Sequence, residues 1–269
     1  MGTLDAAIPP AKLPLGQTIS QAYSSYIKDF PDLLLRASWL WLLVVGVTTA
    51  ATYATSWRSP VQFLQLLATA QIAVAWHRRL IIGESPGFAG SNATGLNLWR
   101  YIVAATLLFL ITFVPLILVG GFGRSLVVQA RNMGLGSLES IWLLLLLRLA
   151  AIAVTVILTC RVSLVLPARA IGQREPTLRE AWACTRYNTW PLFCGGLATS
   201  LPLLLVTQLF APGIPVSSGV KIDTASMTTS DIANAVANAV LYMLAVQVSV
   251  GFLSYAYRHI YQRTDHWPE

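Results

Sequence analysis

The feature that most constrains this chain is a set of six long apolar runs, roughly Leu33–Tyr53, Val61–Ile82, Tyr101–Phe122, Ser140–Arg161, Trp190–Phe210 and Asp231–Tyr257. Each approaches the ~20 residues that carry a helix across the ~30 Å hydrocarbon core of a bilayer. Water is scarce there, so the backbone must satisfy its own polar groups, and a helix does so within one segment. Strands are a poor reading, because membrane strands are short and alternate in polarity. Pro115 and Pro202 fall inside runs, where neighbouring helices can re-satisfy the freed carbonyls. With 55% hydrophobic and 11% charged residues, the 269-residue chain is expected to form one integral membrane domain, residues 1–269. The first run follows a polar, proline-containing start and lacks a small-residue cleavage site. It reads as a retained span, not a signal peptide.

The net charge of +7 raises the question of nucleic acid, and the placement of the charges answers it. Thirteen Lys and Arg flank the runs on one side, from Lys12 and Lys28 through Arg78, Arg79, Arg100, Arg169 and Arg174 to Arg258 and Arg263. Only four, Arg58, Arg124, Arg131 and Lys221, flank them on the other. Cytoplasmic loops carry such an excess, so both termini are expected in the cytoplasm of a bacterial inner-membrane protein, and nucleic acid drops out as a partner. Asn92, in a sequon-like "NAT", then lies on the cytoplasmic side and is no glycan site.

Two semi-polar phrases interrupt the apolar pattern: "TISQAYSSYIKDFPDLL" at 18–34 and "TLREAWACTRYNTWPLF" at 177–193. Thr18 with Gln21, and Thr177 with Glu180, have the spacing of a capping box, in which each side chain satisfies a backbone N–H at a helix start. Aromatic and aliphatic residues follow at helical spacing, and Pro31 and Pro191 close each phrase. Short, capped and two-faced, both read as amphipathic helices at the cytoplasmic boundary, with Tyr23, Tyr26 and Trp182 turned to lipid or to the bundle. The motif "AVAWHRRLIIGE" (73–84) closes the second run and "SYAYRHIYQR" (254–263) closes the sixth, which suggests a degenerate parallel repeat. The expected order is a flexible N-terminus (1–17), a boundary helix (18–30), spans one to four (33–161), a second boundary helix (177–188), spans five and six (190–257) and a cytoplasmic tail (258–269). Arg78, Arg79, Arg179, Arg186 and Arg258 are the candidates for contact with anionic headgroups.

The stretches "RVSLVLPARAIGQREPTLREAWACTRYNTWPLF" (161–193) and "AVAWHRRLIIGE" resemble a group of bacterial inner-membrane proteins. These are the YciC-like proteins and the membrane domain attached to some glycerophosphodiester phosphodiesterases. Pro167, Thr177, Ala181 and Trp182 match the group's habit of a Pro-Ala turn, a capped helix with an Ala-aromatic pair, and a further span. The resemblance implies a polytopic helical membrane domain. It brings no catalytic residues, because the acidic and histidine residues of the soluble phosphodiesterase domain have no counterpart here.

Chemistry-bearing residues are sparse. Cys160, Cys184 and Cys194 are odd in number and lack C-x-x-C spacing, so they read as small apolar fillers. His77 and His259 end corresponding runs and read as interfacial residues beside Arg78 and Arg258. Asp29 and Asp32 read as solvated residues around Pro31. No P-loop, H-E-x-x-H or G-x-S-x-G pattern occurs. No cofactor, metal or enzymatic activity is expected.

Arg148 stands apart, because it follows five leucines, eight residues into the fourth run. That is ~12 Å deep at ~1.5 Å per residue. An arginine at a helix centre costs ~2.5–3.5 kcal/mol to insert, so it is expected to face protein or water. Asn234 and Asn238 on the sixth run, with Gln65 and Gln71 on the second, are its candidate partners in a polar cluster. Ala235 and Ala239 have the small-xxx-small spacing that brings helices close. Two functions follow: a non-enzymatic scaffold or accessory protein interacting with lipid, or a permease-like subunit that holds an anionic substrate at Arg148. Partners are membrane lipids, with other membrane proteins or further copies of the chain left open. The topology is testable on a cysteine-free background in intact cells. A cysteine placed at Ser218 should be labelled from outside and one placed at Gly172 should not; the reverse pattern would refute the orientation.

Overall fold

The computed structural model describes residues 12–29, 58–84, 95–132, 137–209 and 229–261, with isolated helical positions at 31, 43 and 46. Among the described residues all regular structure is helical: α1 (15–29), α2 (Arg58–Ile82), α3 (Leu96–Asn132), α4 (Ser137–Val162), α5 (Val165–Ala170), α6 (Leu178–Cys184), α7 (Thr189–Leu209) and α8 (Thr229–Ile260). Among the described residues three stretches, Leu96–Val119, Trp142–Val162 and Val236–Ile260, are long and apolar enough to cross a membrane. The second and fifth apolar runs fall on α2 and α7, helices of 25 and 21 residues. The first, Leu33–Tyr53, lies almost wholly outside the described residues. Helix α3 runs on past the third apolar run, through Gly123 and Arg131 to Asn132, and packs along α4.

Three contacts organise the bundle. Helices α3 and α4 form an antiparallel hairpin in which Thr155 Oγ1 donates to the Thr112 carbonyl across 2.9 Å. Helices α7 and α8 pack so closely that a Cβ on Gly195 would lie 2.0 Å from the Phe252 ring. Helices α2 and α8 run parallel, since Trp76 lies against Gly251, His77 against Ser254 and the Leu80 carbonyl against Arg258. The core sits here, around Ile72, Val74, Trp76, Met243 and Val248, all essentially without exposure. By contrast α3 and α4 expose Leu107, Phe109, Phe113, Ile117, Leu146 and Leu149. A soluble protein does not leave such a continuous apolar face in water, whereas acyl chains cover it.

Helices α1 and α6 differ in how they start. At Thr177 the capping box is complete: Thr177 Oγ1 accepts from the Glu180 N–H and Glu180 accepts from the Thr177 N–H. At Thr18 it is not formed. Helix α1 begins at residue 15, after Pro14, so Thr18 lies inside the first turn and its hydroxyl donates back to the Pro14 carbonyl, 3.0 Å away. Residues 12–17, expected to be flexible, are held as well. Leu13 is buried and its N–H donates to Asn188 Oδ1 across 2.8 Å. Helix α6 ends at Cys184 and a turn covers 185–188, four residues short of the expected end.

Both helices use their alanine for the closest approach. Ala22 lies against Gly251 of α8, and Ala181 packs with Ala104 of α3 and Val165 of α5. The aromatic residues beside them face protein more than lipid. Tyr23 donates to the Ala198 carbonyl, Tyr26 meets Trp76 edge to face, and Trp182 is stacked by Arg161 at 4.4 Å. Asp29 is no solvated carboxylate, because it pairs with Arg79 at 2.9 Å and ties α1 to α2. His77 corrects the sequence reading most sharply. It is fully buried instead of reaching the interface.

The α7–α8 contact supplies the test. Gly195→Ala should cost ~1–3 kcal/mol through overpacking and lower the melting temperature in detergent. Adding Phe252→Leu, which shortens the offending side chain, should recover part of the loss.

Candidate functional site

Helix α4 passes through a short turn into α5, whose Val165, Pro167, Ala168 and Ala170 are buried. Six residues cannot sustain a helix alone, and the chain closes it at once. The Gln173 N–H donates to the Ala168 carbonyl at 2.9 Å and the Gly172 N–H to the Arg169 carbonyl at 3.2 Å. This pair is a Schellman closure, which needs a left-handed residue, and Gly172 supplies it with φ +86°. Two other helices anchor the turn. A Cβ on Gly172 would come within 3.2 Å of Asn97 Oδ1 on α3, and the Tyr257 hydroxyl of α8 donates to Gln173 Oε1 at 2.6 Å.

Between this turn, the start of α3 and the start of α6 lies a groove of about 550 Å³. Arg100, Arg169, Gln173 and Arg174 are its polar lining residues. Its apolar lining is Trp99, Val103, Ala104, Leu107 and Leu108 of α3, with Val165 of α5 and Leu178 of α6. The α3 residues recur at three- and four-residue spacing, so they form one stripe ~12 Å long from residue 100 to 108. Ala104, Leu108 and Val165 make a buried floor, while Trp99 stands 63% exposed at the mouth. Arg169 commits one N–H to the Gln173 carbonyl at 2.7 Å, leaving other donors of its guanidinium for a ligand. Among the described residues no carboxylate lines the groove. Three arginines and a greasy stripe lining one groove are complementary to an anionic head with an apolar tail.

The residues singled out from sequence are distributed differently. Arg148 is exposed on α4, whose main partners are α3, α6 and α7. Asn234, Asn238 and Gln71 are half-buried on α8 and α2, which pack on each other. Arg148 therefore does not face the bundle, and these described contacts do not gather it with the amides; Gln65 lies on α2, near its start. The physical reason is that α4 packs along α3 and turns its leucine-rich face, with Arg148, outward.

Of the headgroup candidates, Arg78 is buried and holds Glu84 and the Ala170 carbonyl, and Arg79 holds Asp29. Arg179, Arg186 and Arg258 are exposed, with Arg186 over Tyr187 and Arg258 reaching the Leu80 carbonyl. Cys184 is half-buried, and burial, then the charge of Glu180, pushes its thiol pKa up, so it stays protonated. Sequence reasoning missed Arg100, Arg169 and Arg174 as a group. The available signals were the Trp99-Arg100 pair opening a span and "IGQR" closing a short helix.

No family model, curated protein or solved structure matches the chain. The site must be judged on its own geometry. The Gly172 turn gives a direct check: alanine there must adopt left-handed backbone and press on Asn97. Gly172→Ala should cost ~1–2 kcal/mol, read as a lower melting temperature, whereas Gln173→Ala, which keeps the glycine, should cost less.

Proposed function

We propose that this chain is a non-enzymatic, lipid-interacting protein of the bacterial inner membrane, a scaffold or accessory subunit that holds an anionic amphiphile in the α3–α5–α6 groove. Six spans with both termini cytoplasmic form the intended frame, with the two halves as a degenerate parallel repeat and a kinship to the YciC-like group. The observation that carries the reading is the groove itself: Arg100, Arg169 and Arg174 line it together with an apolar stripe of α3. The three lie on the Lys- and Arg-rich side of the chain, where headgroups of the cytoplasmic leaflet are anionic. A phospholipid can place its phosphate among the guanidiniums and one chain against Val103 and Leu107 without leaving the bilayer. Arg179 and Arg186, exposed nearby in sequence, add positive charge to the same surface. The permease alternative needs Arg148 to face a cavity, and its exposed position on α4 lends that reading no support.

The test is lipid retention. Native mass spectrometry of protein extracted into nanodiscs should show co-purified anionic phospholipid. Each arginine near a membrane surface contributes ~1 kcal/mol, so Arg100→Ala with Arg174→Ala should weaken retention by ~2 kcal/mol, about 30-fold. The double lysine variant should recover part of it, because lysine keeps the charge but not the planar fork. Unchanged retention in the double alanine variant would overturn the proposal.

A further inference from the structure

The α2–α8 contact contains polar chemistry that the groove does not use. Ser254 donates its single hydroxyl proton to the Val250 carbonyl at 2.8 Å, one turn earlier on α8. Its oxygen is therefore an acceptor towards His77 Nδ1, 2.7 Å away. That contact fixes the tautomer: the proton sits on Nδ1, and Nε2 carries a bare lone pair. His77 has no exposure, and Nε2 has no hydrogen-bond partner among the described residues. The same holds for the Nε1–H of Trp76 and for both ends of the Gln247 amide, on residues only 1% exposed.

These groups share one seam. Trp76 and His77 are consecutive on α2, and Trp76 Nε1 is 3.4 Å from where a Gly251 Cβ would lie. Gln247 precedes Gly251 by one turn and Ser254 by two, on a single stripe of α8. With His77 level with Ser254 in the parallel pair, Gln247 is level with Ala70, about 10 Å further along the seam at ~1.5 Å per residue. Two acceptors and two donors are thus strung along one helix contact, with no charge among them. Buried polar groups are almost always paired, by protein or by ordered water, because an unmet one keeps its full desolvation cost.

We propose that the α2–α8 seam binds a short file of internal waters, which donate to His77 Nε2 and Gln247 Oε1 and accept from Trp76 Nε1–H and the Gln247 amide. Water is the ligand of choice because it is neutral, small, and both donor and acceptor. The site makes His77 a neutral, water-linked acceptor inside the bundle, separate from the groove.

The protein has three histidines, so ¹⁵N-histidine labelling in nanodiscs followed by water-edited solid-state NMR can isolate His77, assigned by its loss in His77→Gln. The expected result is an Nδ1-protonated imidazole that receives magnetisation from water rapidly despite its burial. Gln247→Leu should slow that transfer severalfold and leave the tautomer unchanged, because the Ser254 bond remains. A proton on Nε2, or transfer as slow as in a dry core, overturns the proposal. Should Gln247→Leu fail to fold, hydroxyl-radical footprinting of the unaltered protein decides. Oxidation of buried Trp76 and Met243 supports water in the seam, and protection of both overturns it. A small solute that co-purifies as a discrete native-mass adduct and blocks water transfer to His77 would also overturn it.

Discussion

The approach of Trp76 and Ala22 to Gly251 is the contact on which the described structure depends. An indole and a neighbouring helix reach the same point of α8 only if the residues there are small, and here they are. Gly251 offers no side chain and Ala22 one methyl group. Through that gap α1, α2 and α8 become a single unit, fastened further by the Asp29–Arg79 pair and by the His77–Ser254 bond. Surface-exposed ion pairs contribute little alone, ~1 kcal/mol or less, so the packing and not the charges fixes the geometry. Helix α7 then docks on α8 through the second glycine contact, Gly195 beneath Phe252. Without an aqueous hydrophobic drive between helices in lipid, small residues that permit close van der Waals packing are the main resource.

A second regularity concerns hydroxyls. Thr112, Thr159, Thr185, Thr199, Ser200, Ser249 and Ser254 each donate to a carbonyl one turn earlier in the chain. A hydroxyl in an apolar helix thereby satisfies its proton locally, and its oxygen stays available as an acceptor. Thr155 is the instructive variation, since it donates across to Thr112 and joins α3 to α4. Ser254 shows the other use, with its oxygen setting the tautomer of His77.

What the sequence revealed was local. The Thr177–Glu180 box could be read because capping is decided within four residues. The nearly identical Thr18–Gln21 phrase misled because Pro14, four residues upstream, starts the helix earlier. Helical class and apolar faces were legible from run length alone. The environment of His77 was not, since it is set by Ser254 and Tyr101, distant in the chain. Arg148 was expected inside because an arginine facing lipid is expensive, yet the orientation of α4 is set by its contact with α3. The groove was least legible of all: Arg100, Arg169 and Arg174 sit on separate elements, and only the turn at Gly172 brings them to one place.

That turn has a mechanical meaning. Gln173 accepts from Tyr257 through its side chain and from Arg169 through its carbonyl. One residue thus links the last turns of α8 to the basic lining of the groove, while Gly172 rests on the start of α3. The last turns of α8 and the α5 turn beside the groove therefore share a single anchoring residue, Gln173.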